Sequence, residues 1–143
     1  MKTLEETKAY LLSKPEAQED FPFGPDVSVF KIKGKMFALF CGEKKDKASG
    51  IKQRPQVNLK CDPLEAIQLR DVFDDVIPGY HMNKKHWNTI YLSQQDKPSD
   101  VPMGELERQI DNSYSLVVKG MTKAMRRSLE VSYSNKELYG EDQ

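Results

Sequence analysis

The sequence predicts an α+β fold, a single domain in which an antiparallel sheet is flanked by helices. Three observations predict it. Runs rich in β-branched and aromatic residues follow one another between residues 27 and 60, separated by turn signals. Helical spacing with identifiable start signals occurs before them, after them and again near the end of the chain. The 143 residues contain no internal repeat, linker or low-complexity tract, and that length suffices for one domain with a real core.

The elements read in order as follows. Thr3-Leu4-Glu5-Glu6 is a capping box, a hydroxyl for an orphan amide and a carboxylate three residues on. The helix it opens, near 3–13, puts Leu4, Leu11 and Leu12 on one face, with Pro15 soon after its end. Phe21-Pro22-Phe23-Gly24-Pro25-Asp26 is too interrupted for regular structure, so its two phenylalanines are expected to plug the core from a loop. A strand near 27–33 has Phe30 and Ile32 on one face, and Lys33-Gly34 supplies a tight turn. The next strand, 35–41, is apolar on both faces, as a central strand would be. A long polar run from Gly42 to Arg54 precedes a third strand at 55–60, where Val57 and Leu59 alternate with Gln56 and Asn58.

Asp62 as N-cap and Pro63 at the first helical position start a helix near 63–75, with Ala66, Leu69, Phe73 and Val76 at helical spacing. Pro78-Gly79 interrupts a fourth strand near 77–83. A fifth, 87–92, sets Trp87, Thr89 and Tyr91 opposite Ile90 and Leu92. Leu106, Ile110, Tyr114, Val117 and Met121 recur every three or four residues, a helix near 104–120 that Gly120 can close. Thr122 caps a last helix, 122–131. The domain is taken as 1–132, with 133–143 a polar, frayed tail. The expected core is Phe30, Phe37, Leu39, Leu59, Leu69, Phe73, Ile90, Ile110, Tyr114 and Val117.

Net charge is zero, so no monopole draws the molecule toward nucleic acid or anionic lipid. Its distribution is uneven. Residues 1–26 hold three basic and six acidic groups, giving −3; residues 31–60 hold nine basic and two acidic, giving +7; residues 62–75 hold one basic and five acidic, giving −4. Such a pattern describes either a polarised surface that orients charged partners or lysines protecting strand edges. No window approaches the roughly 20 apolar residues of a membrane helix, and the first twenty residues lack a signal peptide's apolar stretch. A cytoplasmic location is expected, with Cys41 and Cys61 as buried thiols.

Catalytic and metal readings find little support. His81 and His86, the only histidines, stand about 140° apart on a helix and on opposite faces of a strand, so they cannot share a metal. Cys41 and Cys61 show no metal-type pairing. There is no phosphate loop, nucleophile elbow or HExxH. Asp71, Asp74 and Asp75 end a helix where the dipole disfavours them; they read as a solvated acidic corner, with a cation site as the alternative. The more function-like residues are the loop cations Lys44, Lys45, Lys47, Lys52 and Arg54, and the segment Tyr80, His81, Lys84, Lys85, His86 and Trp87. Bases stack on aromatics and phosphates pair with lysines, so these eleven residues form a candidate nucleic-acid surface. The competing reading packs Tyr80 and Trp87 in the core, with Asn83 and His86 fixing a turn.

The segment Pro78-Gly79-Tyr80-His81-Met82-Asn83-Lys84-Lys85-His86-Trp87-Asn88-Thr89-Ile90 resembles the signature of the MmcQ/YjbR family, a domain of DUF419 type. Phe21-Pro22-Phe23-Gly24-Pro25-Asp26, Asn58-Leu59-Lys60-Cys61-Asp62-Pro63 and Ile110-Asp111-Asn112-Ser113-Tyr114-Ser115-Leu116-Val117 agree, so the resemblance spans about 1–127. Met82 replaces the family's usual leucine, a volume-conserving change. Ser93-Gln94-Gln95-Asp96-Lys97 replaces a frequent Asp-Gly turn. The resemblance implies an α-β-β-β-α-β-β-α order, similar to type III secretion chaperones and to a double-wing DNA-binding module. The function it implies is a small non-enzymatic domain that binds DNA through weak, largely sequence-indifferent phosphate contacts. The alternative it implies is a chaperone-like protein-interaction module. No cofactor or metal is expected, and the partner is DNA or a protein rather than a membrane. Both functions rest on likeness of fold, which does not fix function.

Overall fold

A computed structural model of the chain describes residues 4–42, 44–45, 52–79, 82–94 and 96–140. Helix α1 (Leu4–Leu12) is followed by strands β1 (Gln18–Asp20), β2 (Val27–Ile32) and β3 (Lys35–Cys41). A small hairpin, β4 (Lys44–Lys45) with β5 (Lys52–Gln53), separates β3 from β6 (Gln56–Lys60). Then come α2 (Pro63–Val72), β7 (Val76–Pro78), β8 (Trp87–Tyr91), α3 (Met103–Lys119), α4 (Lys123–Glu130) and α5 (Asn135–Tyr139). The main sheet runs β1-β2-β3-β6-β8-β7, every neighbour antiparallel. The fold is the expected single α+β domain. The Thr3 cap lies outside the described residues.

Local chemistry explains most boundaries. The Asp62 carboxylate accepts the amides of Leu64 and Glu65 at 3.2 and 3.3 Å, with Pro63 in the first turn. α2 stops at Val72 because Phe73 is already extended, at φ −118° and ψ 124°. Lys33 and Gly34 both have positive φ, 50° and 79°, which is the hairpin turn whose twist suits antiparallel strands. Lys33 is held there by its ammonium, 3.2 Å from Ser128 Oγ and 3.7 Å from Glu16. β1, Gln18-Glu19-Asp20, has no strand propensity, yet it pairs with β2. Polar partners fix it: Ser28 Oγ donates to Glu19 at 2.6 Å, Lys8 lies 3.0 Å from Glu19, and Lys31 lies 3.2 Å from Asp20.

The sheet has two unlike faces. Opposed residues share a face, so the register groups Phe40, Val57, Ile90 and Val76 in one row and Phe30, Ala38 and Leu59 in the next. A register shift between Phe30 and Lys31 leaves Phe37 unpaired and turns its ring to this same face. There it meets Tyr114 edge-on at 5.3 Å and Phe30 at 6.5 Å. Each helix sends apolar side chains into this one cluster: Leu11, Ala66 and Leu69, Ile110 and Val117, Leu129, and Leu138. The second face carries the row Asp20, Val29, Leu39, Asn58, Thr89 and Ile77. Val29 and Leu39 are 2% and 7% exposed and stand outside the helical cluster, and Asn58 and Thr89 in the same row are fully buried, so this face is closed to solvent at its centre.

Three expectations need correction. Phe21 and Phe23 do not plug the core; they are 46% and 71% exposed. Gly24, at φ 105°, folds their loop outward in a tight turn, and the helices already fill the apolar face. Phe73 is half-buried, packed against the core rather than within it. The tail after Ser132 is ordered as α5 through Tyr139: Ser134 and Glu137 cap each other's amides at 3.1 and 3.0 Å, and Leu138 is fully buried. Ser115 Oγ donates to the Leu138 carbonyl at 2.9 Å, which ties α5 to α3.

Candidate nucleic-acid interface

The eleven sequence-selected residues do not form one patch. The β4–β5 hairpin, with Lys44, Lys45 and Lys52, extends from the end of the sheet where β3 finishes and β6 begins. Trp87 pairs with Lys60, the last residue of β6, so the turn carrying Lys84, Lys85 and His86 lies at the opposite end. The length of β6 alone separates the two ends by at least about 13 Å. Lys47, Tyr80 and His81 lie outside the described residues. Lys84, Lys85 and His86 are exposed, and Trp87 is half-buried.

The turn is rigidly built. Asn83 O accepts the amides of His86 and Trp87 at 3.1 and 3.0 Å, and Asn83 Oδ1 accepts that of Lys85 at 3.0 Å. Gly79 N donates to Trp87 O at 2.8 Å. A Cβ on Gly79 would lie 2.8 Å from Trp87 Cβ and 2.9 Å from its carbonyl oxygen, so only glycine fits. Arg70 reaches across from α2, donating to Asn88 Oδ1 at 2.7 Å and to the Lys84 carbonyl. Sequence reasoning missed Arg70. Its signal was there, since it is the only cation in the acidic stretch 62–75.

Arg54 is not a solvated loop cation. Its side chain is only 17% exposed; Nη1 donates to Asp75 Oδ1 at 2.8 Å, and the guanidinium lies over the Tyr91 ring at 4.8 Å. The acidic corner is likewise only partly solvated. Asp74 and Asp75 lie beyond α2, and their amides donate to the Asp100 carboxylate at 2.8 and 3.2 Å, while Asp100 N donates to Asp75 at 2.9 Å. Burial pushes the Asp75 carboxyl upward, but the Arg54 hydrogen bond, the Asp100 amide and the Arg54 charge together hold it below the usual carboxylate value. Asp71 and Asp74 are exposed. Among the described residues no group of three or more His, Cys, Asp or Glu could hold a metal. Cys41 and Cys61 form no disulfide, and the β3–β6 register puts them at opposite ends of that pair. Burial first, then the charges of Glu65 and Asp62, push the Cys61 thiol up to about 11.

Between the two basic ends runs the second sheet face. It bears Tyr91 and Trp87 on β8, two residues either side of Thr89, and Lys60 opposite Trp87. A cavity of about 260 Å³ lies elsewhere, between α1, the end of β8 and the start of α3. Residues such as Ile90, Leu92, Val101 and Leu106 line it, with Ser93 and Ser99 and no titratable side chain. Both serine hydroxyls accept backbone amides, from Ser99 and Val101 respectively.

The fold and this face define a small α+β domain with its helices on one side of an open antiparallel sheet. The family model for YjbR matches residues 12–116, and the chain belongs to that family. It is similar to the YbdF protein of Escherichia coli O157:H7, 36% identical over 119 residues that cover 83% of this chain and 87% of YbdF. It is also similar to YjbR of Escherichia coli strain K12, 28% identical over 127 residues covering 89% of this chain and 97% of YjbR. The crystal structure of Deinococcus radiodurans protein DR2400, a DUF419 domain, matches with a TM-score of 0.71 at 34% identity, covering 91% of this chain and 89% of that one. Among the described residues no helix is long and apolar enough to cross a membrane.

Proposed function

We propose that this chain is a small non-enzymatic domain that binds DNA weakly through phosphate contacts and largely without regard to sequence. One observation carries the reading: the second sheet face, with half-buried Trp87 and Tyr91 on β8, is flanked at one end by the lysine-bearing β4–β5 hairpin and at the other by exposed Lys84 and Lys85. Cations at both ends suit a backbone laid along the sheet, and phosphate contacts position without specifying. Affinity is then micromolar or poorer at physiological salt and falls steeply as salt rises. The reading goes with a cytoplasmic setting, in which both cysteines stay thiols. Salt-titrated binding of duplex and single-stranded DNA tests it, beside the triple variant Lys44→Glu, Lys45→Glu, Lys47→Glu. Binding that the triple variant loses while its melt is unchanged is expected. No retention of any strand at low ionic strength would end the idea, and retention by the triple variant would place the contact elsewhere.

A protein-interaction module is the second reading, favoured by a different surface. α2 shows Leu64, Ile67 and Val72 on its outer side, 74%, 53% and 69% exposed. Leu64 and Ile67, three residues apart, share one exposed helix face, with Val72 about 140° from Ile67, and such a pair resembles an interaction patch more than single scattered surface apolars. This reading predicts salt-insensitive association in sedimentation, weakened by Ile67→Lys.

A further inference from the structure

Four buried side-chain nitrogens in the described part of the molecule have no acceptor: Nε and Nη2 of Arg54, Nδ2 of Asn58 and Nε of Arg126. Three of the four belong to one sheet face. Positions 54, 56 and 58 alternate along the β6 segment toward the second sheet face. Arg54 over Tyr91, and Asn58 opposite both Leu39 and Thr89, confirm the side. Asn58 is fully buried and its Oδ1 is satisfied by Thr89 Oγ1, which leaves its amide hydrogens as the unmet part. Asp75 engages only Nη1 of Arg54. The remaining Nε–Nη2 edge is the planar fork that takes two oxygens borne on one atom.

We propose that this face holds a site for a single oxyanion group, a carboxylate or a phosphate, gripped bidentately by the Arg54 fork with the Asn58 amide as a further donor. Buried donors without partners are costly, so a fold that keeps three of them on one face is arranged to meet acceptors there. Two oxygens on one atom match the fork, whereas a lone carbonyl would satisfy only one of its two N–H directions. The charge is also suitable. Asp75 offsets Arg54 and Asp20 offsets Lys31, while Lys60, on the same face, adds positive charge. The site does not depend on the hairpin lysines, so it stands or falls separately from DNA binding.

The test follows the Arg54 Nε–H and Asn58 side-chain amide signals by NMR in the full chain. Sodium phosphate and sodium acetate are titrated at constant ionic strength, with sodium chloride as control. The expected result is a saturable shift of both signals with phosphate or acetate and not with chloride; which anion saturates first identifies the source chemistry. Arg54→Lys keeps a cation beside Asp75 but removes the fork, and should weaken binding by about 10- to 100-fold. Asn58→Leu removes the second donor without changing charge and should weaken it less. Should Arg54→Lys fail to fold, the wild-type titration and Asn58→Leu still decide. Shifts that are absent, linear or shared with chloride would overturn the proposal, leaving these donors to buried water. So would a midpoint that a folded Arg54→Lys leaves unmoved.

Discussion

The two faces of the sheet are made by the same strands and are both largely buried, yet they are built on different chemistry. The helical face is closed chiefly by apolar side chains around Phe37, Phe30 and Tyr114, and polar groups buried there, such as Ser113, Ser115 and Asn88, have partners. The other face buries Asn58 and Thr89 at its centre, with Gln56 beside them and the Arg54–Asp75 pair at its rim. Dispersion and water exclusion, which carry no orientation requirement, stabilise most of the first. The second pays for every polar group with a partner or goes without, and three donors go without. The difference teaches where stability and binding capacity are stored in this fold. It can be tested by substitutions that separate them.

The largest effect is expected on the helical face. Phe37 is fully buried at the bulge, its ring set against two others. Phe37→Ala should cost roughly 3–5 kcal/mol, much of the 5–15 kcal/mol that holds a domain together. Urea unfolding measures it; a midpoint within error of the parent's would mean that the bulge does not direct this ring into the core. Next comes Gly79→Ala at the edge of the sheet. The added methyl meets the Trp87 Cβ and carbonyl below 3 Å, so β7 and β8 must separate, at about 1–3 kcal/mol. A neutral outcome in the same assay would show that this edge yields easily.

A smaller effect is tied to pH. A carboxyl held below its ordinary value stabilises the fold above its unfolded value, about 3.9 for aspartate, and loses that contribution as pH falls through the folded value. Asp75 is such a group, because its bonds to Arg54 and Asp100 outweigh burial. Glu105 is another, held low first by its Arg108 hydrogen bond. Stability should therefore decline below about pH 4. Asp75→Asn should make the decline shallower, as followed by thermal melts. Parallel profiles for parent and variant would remove Asp75 from the account.

How far the sequence reveals this depends on the scale of the question. β2, β3, β6 and β8 were legible because Val, Ile and Phe cluster between turn residues, and α2 because Asp62 and Pro63 mark its start. β1 was not, since Gln18-Glu19-Asp20 becomes a strand only through Ser28, Lys8 and Lys31 on other elements. α5 carried a readable capping box at Ser134 and Glu137, obscured by a polar tail in which, among the described residues, only Leu138 is buried. The separation of the lysine hairpin from the Lys84–Lys85 turn was not legible at all. It follows from β6 lying between β3 and β8, and strand order is set by tertiary packing rather than by spacing along the chain. Arg54 shows the same limit: its place among loop lysines suggested solvent, while its ion partner comes from residue 75 and its ring from residue 91.

The smallest net effect, that of a double variant, is expected at the centre of the second face, and it sharpens the comparison most. Thr89 Oγ1 donates to Asn58 Oδ1, and the amide nitrogen on the same side chain has no acceptor. Thr89→Val alone deprives a buried carbonyl of its donor, a loss of about 1–3 kcal/mol. Asn58→Leu alone takes the acceptor from a buried hydroxyl while also removing the unmet nitrogen, so it should cost less. The double variant replaces both partners with apolar groups of similar size and should be near neutral or slightly stabilising. The coupling in this double-mutant cycle isolates the pair, and adjacent residues are where such cycles depart from additivity. A double variant as damaged as Thr89→Val would mean that the polar pair stabilises the sheet in its own right. A near-neutral one would mean that the fold tolerates an apolar centre on both faces. The amide and hydroxyl would then be kept on this face for what they bind, and the folded double variant becomes the control in which anion binding at Arg54 should be weakened.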